Sequence, residues 1–191
     1  LSGRTRQEHT GIGVAMGPGG FTGVRTGLAA AKTIAQVLGL PVYGIGTLDA
    51  LAFQFPGPHL VSAMLDARRQ LVFAGLYRVE GDRLTVVRPA ELMPFTDWRA
   101  ILAEATEPVL AVGEGASRHR EALEEIGALV PSDALMAASG LPVARLAEQR
   151  LEAGVPSELE TLEPRYLREP QAVVNWEAAQ QAKENRHGAN P

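Results

Sequence analysis

Gly17-Pro18-Gly19-Gly20-Phe21-Thr22-Gly23-Val24-Arg25-Thr26-Gly27-Leu28-Ala29 is the stretch on which the reading of the whole chain turns. Before it lies Gly11 to Met16 (GIGVAM), a short apolar run that suits a buried strand. Pro18 among glycines then makes a tight turn, and from Thr22 to Leu38 the apolar spacing becomes helical. Val24, Leu28, Ala31, Ala35 and Leu38 form one stripe of that helix. Gly23, Gly27, Ala30, Ile34 and Val37 form the neighbouring one, and only Arg25, Ala29, Lys32 and Gln36 make a more polar face. Gly39 ends the helix, Pro41 to Gly46 (PVYGIG) reads as a second buried strand, and Thr47 is a candidate N-cap for a short second helix. Strand, helix, strand, helix predicts parallel pairing in an α/β fold.

A strand that feeds a helix through glycines can offer backbone N–H groups and the positive end of a helix dipole to a phosphate. The familiar phosphate patterns are not met. No Gly begins the G-x-x-x-x-G-K-[ST] of a P-loop, and Gly17-x-Gly19-x-x leads to Thr22 where a dinucleotide loop needs its third glycine. A structural tight turn and a phosphate cradle both remain open on the residues alone.

Downstream, Pro56-Gly57-Pro58 breaks the pattern and marks a lobe boundary. Residues 1–58 read as part of an N-terminal lobe, 59–180 as a C-terminal lobe and 181–191 as a polar tail, its Lys183 to Pro191 end expected to be disordered. Two apolar runs, Leu60 to Leu65 and Leu71 to Tyr77, flank Asp66-Ala67-Arg68-Arg69-Gln70. Glu80-Gly81-Asp82 turns into a short strand from Leu84 to Val87, Thr96 caps a helix through Glu104, and Pro108 to Val112 returns to strand. Helices are expected over Ser117 to Ile126 and over Leu141 to Ala153, the latter capped by Ser139.

The 191 residues, 46% hydrophobic and 21% charged, suffice for a real core. A formal charge of -4 provides no general attraction for nucleic acid or an anionic membrane, so any RNA contact is local or comes through a partner. With no cysteine, disulfides and thiolate zinc sites are excluded, and a reducing cytoplasmic setting is expected. The long uncharged region Thr33 to Leu48 is broken by Gly39, Pro41, Gly44 and Gly46, and no membrane span is read. The start, Leu1 to His9, has neither Met nor an apolar signal core and reads as the interior of a longer chain.

Chemistry-bearing residues are sparse. His9, His59, His119 and His187 are scattered and read as surface or turn residues. Glu124-Glu125 and Glu158 to Glu160 read as exposed charges, and no G-x-S-x-G elbow occurs. Gly113-Glu114-Gly115 reads as a strand-to-helix turn with Glu114 near a helix N-terminus. Asp66, Arg68 and Arg69 form either a solvated charged turn or a contact for a partner's carboxylate.

Gly17 to Ala29, continued by Ala31-Lys32 and Gly39-Leu40-Pro41-Val42, closely resembles the signature of the TsaB family, also called YeaZ. Asp66-Ala67-Arg68-Arg69, the strand ending in Tyr77, Gly113-Glu114-Gly115 and Glu163-Pro164-Arg165-Tyr166-Leu167-Arg168 follow in that family's order, so the resemblance runs from about Gly11 to Arg168. It implies a two-lobed fold similar to the actin, sugar-kinase and Hsp70 group, each lobe on a ribonuclease-H-like sheet. It also implies a first strand, hairpin and helix ahead of Gly11, which this chain lacks.

The resemblance further implies a non-catalytic subunit. Such proteins act with a TsaD-type catalytic subunit and a TsaE-type ATPase to form threonylcarbamoyladenosine beside the anticodon of tRNA, touching tRNA only through the assembly, and self-association is also expected. The catalytic cousins carry a His-x-x-x-His metal pair after the second strand; here those positions hold Thr47 and Leu51, so no metal, catalytic residue or cofactor is expected. The resemblance suggests that first-lobe helices form the partner interface, and the stripe Gly23, Gly27, Ala30, Ile34 and Val37, whose small residues let a second helix come close, is assigned to association, with packing on an upstream helix of the same chain as the alternative. The rival functions are an ATP-binding enzyme of the actin and sugar-kinase group and a structural homodimer with no part in tRNA modification.

Overall fold

The computed structural model describes residues 8–132 and 139–167. Its first unit follows the glycine stretch: β1 (Ile12–Ala15), α1 (Phe21–Leu38) and β2 (Val42–Ile45), with β1 and β2 parallel and Ile12 opposite Val42. Gly39 terminates α1 in the left-handed conformation, its N–H donating to the carbonyl of Ala35. α2 (Thr47–Ala52) begins at Thr47 itself, with Gly46 at the N-cap position, so Thr47 is a helical residue and not the cap.

The second sheet has the order β5-β4-β3-β6, formed by β3 (Leu60–Asp66), β4 (Leu71–Glu80), β5 (Arg83–Pro94) and β6 (Val109–Val112). β3, β4 and β5 are antiparallel neighbours, and β6 runs parallel to β3. β5 is three times as long as the Leu84 to Val87 segment expected. It is an edge strand whose side chains, Ala90 apart, are exposed or half-buried, so backbone pairing with β4 carries it and no apolar run marks its extent. At the centre of the sheet Trp98 Nε1 donates to Ser62 Oγ at 2.9 Å, both residues fully buried.

Three further helix expectations differ from the structure. α3 (Phe95–Ala103) has Pro94 at its N-cap, while Thr96 lies inside it and donates to Asp97 Oδ1. The single helix expected from Ser117 to Ile126 is two, α4 (Glu114–Arg118) and α5 (Arg120–Glu124), separated at His119, whose backbone leaves helical geometry at φ -111° while its ring stacks on Phe95 at 3.7 Å. Ser139 stands at the N-cap of α6 (Gly140–Glu152), but its side chain makes no capping bond.

α6 folds back on the first sheet. A Cβ on Gly13 would lie 2.8 Å from Ala147 Cβ and from the carbonyl oxygen of Val143, so the absence of a side chain on β1 lets the helix sit this close. The next segment stays there: the Glu158 N–H donates to the carbonyl of Val42, and the Arg165 N–H to that of Met16 at 2.7 Å. Residues 140–167 thus pack with the strands that precede Pro56, although they follow it in sequence. Leu28, Ala31, Ala35, Val42 and Leu162 make a small core there, and the larger core fills the space between the second sheet and α2 to α6.

Candidate functional site

α1 treats its two apolar stripes differently. Leu28, Ala31 and Ala35 are buried and Val24 and Leu38 half-buried, whereas Gly23, Gly27, Ala30, Ile34 and Val37 are all exposed, Ile34 at 50% and Val37 at 71%. A Cβ added at Gly23 or Gly27 would meet no atom within 4 Å. The exposed stripe is therefore flat and open at its N-terminal half and apolar at its C-terminal half.

The signature turn is tied down from both sides. Gly17 adopts φ 108°, a Cβ there would lie 2.7 Å from the carbonyl oxygen of Arg165, and its own carbonyl accepts the Thr47 N–H at 2.9 Å. Pro18 follows through a cis peptide bond. Gly19, Gly20, Phe21, Thr22 and Arg25 lie at the exposed end, and α1 starts with neither a side-chain cap nor an acidic residue in its first turn.

Across from this turn, the β3–β4 loop completes a cleft of about 840 Å³. Asp66 is structural there: Oδ1 accepts the Arg68 N–H at 2.9 Å, and Oδ2 accepts Arg118 Nη1 at 2.7 Å. Arg68 and Arg69 are exposed whereas Asp66 is half-buried and engaged, so the loop is solvated only in part. Arg68, Arg69 and Gln70 all have positive φ, 63°, 52° and 61°, conformations that cost roughly 1 kcal/mol or more each for residues with a side chain. Pairing of Leu71 N–H with the Arg68 carbonyl and of Phe95 N–H with the Gln70 carbonyl holds them. At the mouth, Tyr166 stacks on Phe21 with centroids 5.1 Å apart, and the Arg25 guanidinium sits 4.9 Å from the Phe21 centroid. The sequence reading placed Tyr166 in a motif without a role, because nothing in its spacing announces a ring 145 residues away; Arg168 of the same motif lies outside the described residues.

Other charged residues divide between structure and surface. Glu158 is not a plain exposed charge: Oε1 accepts Arg150 Nη2 at 2.7 Å and Oε2 accepts the Gly44 N–H at 2.7 Å, while Arg150 Nη1 also donates to the Gly44 carbonyl. Glu124 and Glu125 are exposed and make surface ion pairs with Arg120 and Arg99. Glu114 is exposed as the first residue of α4, with Gly113 at the N-cap. Tyr77 is fully buried; burial first, then the charge of Asp49, push its pKa well above the ordinary value, against a smaller lowering by Arg165.

His9 is exposed, and His187 lies outside the described residues. His119 is no simple surface residue, since its Nε2 is buried against Phe95 without a hydrogen bond, as is His59 Nε2 at its turn. Of the two positions aligned with the cousins' metal pair, Leu51 is wholly buried in the core and Thr47 borders the cleft. Among the described residues no three His, Asp or Glu side chains stand together as a metal site.

Comparison with known proteins fits this geometry. Residues 2–176 match the family described as TsaD, tRNA N6-adenosine threonylcarbamoyltransferase. A Bacillus subtilis relative, tRNA threonylcarbamoyladenosine biosynthesis protein TsaB, is 38% identical over 123 residues, 63% of this chain and 53% of the relative. The chain belongs to this family, on its TsaB (YeaZ) branch. YeaZ from Pseudomonas aeruginosa superposes with a TM-score of 0.72 at 25% identity, covering 87% of this chain and 78% of that one. A second Pseudomonas aeruginosa structure, described as similar to peptidase YEAZ, gives a TM-score of 0.64 at 24% identity over 81% of this chain and 71% of that one, and bears on the fold alone. The actin-like α/β fold is the one the sequence implied. The chain spans about half the length of the Bacillus relative. No helix among the described residues is long and apolar enough to cross a membrane.

Proposed function

We propose that this chain is a non-catalytic subunit in the formation of N6-threonylcarbamoyladenosine next to the anticodon of tRNA. It binds and stabilises a TsaD-type catalytic subunit, meets a TsaE-type ATPase within the assembly, and reaches tRNA only through it. The observation that carries the reading is the second stripe of α1. Gly23, Gly27, Ala30, Ile34 and Val37 lie exposed on one face of an 18-residue helix whose other stripe packs into the fold through Leu28, Ala31 and Ala35. Small residues at its start admit a second helix at short range, and Ile34 and Val37 supply apolar area. A relative named for threonylcarbamoyladenosine biosynthesis supports the choice of process.

Leu51 in the core and Thr47 beside the cleft support a subunit that contributes no metal chemistry, and we place it in the cytoplasm with the rest of the machinery. The same exposed stripe also suits a homodimer, because a flat glycine-rich face is complementary to itself. Co-purification tests the assignment. The full-length chain should retain a TsaD-type subunit of the same organism through size-exclusion chromatography as one peak. Separate elution of the two proteins at micromolar concentration would overturn it.

A further inference from the structure

We propose that the cleft between the signature turn and the β3–β4 loop docks an acidic, apolar-flanked segment of a partner protein. The inference rests on the preceding reading for the assembly in which that partner is found. The walls include the apolar side chains of Val24, Leu65 and Phe73, and the volume of about 840 Å³ admits several residues of an extended peptide. At the mouth Phe21 and Tyr166 remain 42% and 40% exposed although they stack on each other. Exposed aromatic rings with an arginine laid over one of them are the composition of an interface hot spot.

Charge sets the chemistry of the occupant. Arg68 and Arg165 line the cleft and Arg25 stands at its mouth, while Asp66 is engaged by Arg118 and by the Arg68 N–H. Glu114 is then the other carboxylate among the lining residues described, so three guanidinium groups collect here on a chain of formal charge -4. A carboxylate-bearing peptide matches that surplus and the apolar walls together. A nucleotide triphosphate matches less well, because the β3–β4 loop carries Arg68 and Arg69 in place of the small residues that let phosphates approach a backbone closely. An RNA strand would bring a phosphate track past Asp66 and Glu114 and leave the apolar walls unused.

The left-handed Arg68 supplies a discriminating variant. Glycine adopts φ 63° without strain, so Arg68→Gly should raise the melting temperature of the chain while weakening its association with the partner at least about tenfold. A merely structural Arg68 would give the first effect without the second, and unchanged association would overturn the proposal. The direct test replaces Tyr166 by the photoreactive p-benzoylphenylalanine in the full-length chain, assembles it with the TsaD-type subunit, the TsaE-type ATPase and tRNA, and maps cross-links by mass spectrometry. The proposal expects cross-links to an Asp- or Glu-containing segment of another protein subunit. Cross-links to tRNA, to a second copy, to residues 168–191 of this chain, or to nothing would overturn it. If no assembly forms with the unaltered chain, the proposed function falls as well; if it forms without these cross-links, only the cleft inference falls.

Discussion

Arg in place of Gly27 separates association from folding, because the two effects have opposite signs at this position. In the chain itself Gly27 lies in the exposed interior of α1 with open space around it. An arginine there should not harm the fold, and replacing a helical glycine should stabilise it by roughly 0.5–1 kcal/mol. In a complex in which another helix rests on the stripe, the same side chain overpacks the contact and brings an unpaired charge. Taking about 3 kcal/mol for the two together, affinity should fall roughly a hundredfold. The assay is thermal unfolding by circular dichroism, followed by size-exclusion titration against the TsaD-type subunit, using the longest natural form of the chain. Melting raised by up to a few degrees together with lost binding is the expected pair of results. Unchanged binding would refute the interface, and loss of the fold would show that the stripe packs on another part of the same chain.

Two further perturbations test the physical account of the fold. Ser62→Ala leaves the Trp98 indole N–H buried without its acceptor; at about 2 kcal/mol this should lower the melting temperature by roughly 4–8 °C, and calorimetry showing no change would contradict the central role given to that bond. His119 should make stability pH-dependent. Burial first, then the charge of Arg118, hold its imidazole below the ordinary value of 6.5, with Asp66 opposing, so the folded chain binds fewer protons than the unfolded one below that value. Its contribution is present above about pH 6.5 and is lost as the pH falls through the lowered folded value; urea titrations at pH 7.5 and 5.5 should show a loss that His119→Phe reduces, and an identical loss in the variant would refute this cause.

Much of the first unit was legible because its signals are local. The glycine turn at residues 17–20, Gly39, an apolar run on either side and two helical stripes led to β1, α1 and β2 with boundaries within one residue of those observed. Signals that depend on contacts distant in sequence were not legible. The extent of β5 is set by pairing with β4, the break at His119 coincides with its stacking on Phe95, and the role of Glu158 comes from Arg150 and a strand more than a hundred residues earlier. The stripes of α1 could be drawn from the sequence, yet which one the fold consumes required the position of β2 and Leu162. Likewise the Arg68-Arg69 turn read as charge alone, since three successive left-handed residues without glycine are not a pattern that propensity predicts.

The central claim is that this chain takes part in threonylcarbamoyl transfer without performing it, and reconstitution measures that directly. Unmodified tRNA is incubated with threonylcarbamoyl adenylate and each combination of this chain, the TsaD-type subunit and the TsaE-type ATPase, and the nucleosides are then quantified by mass spectrometry. The account predicts no threonylcarbamoyladenosine with this chain as the only protein, and full formation only when it joins the other two. Modified nucleoside formed by this chain alone, or equal yield when it is left out, would contradict the account.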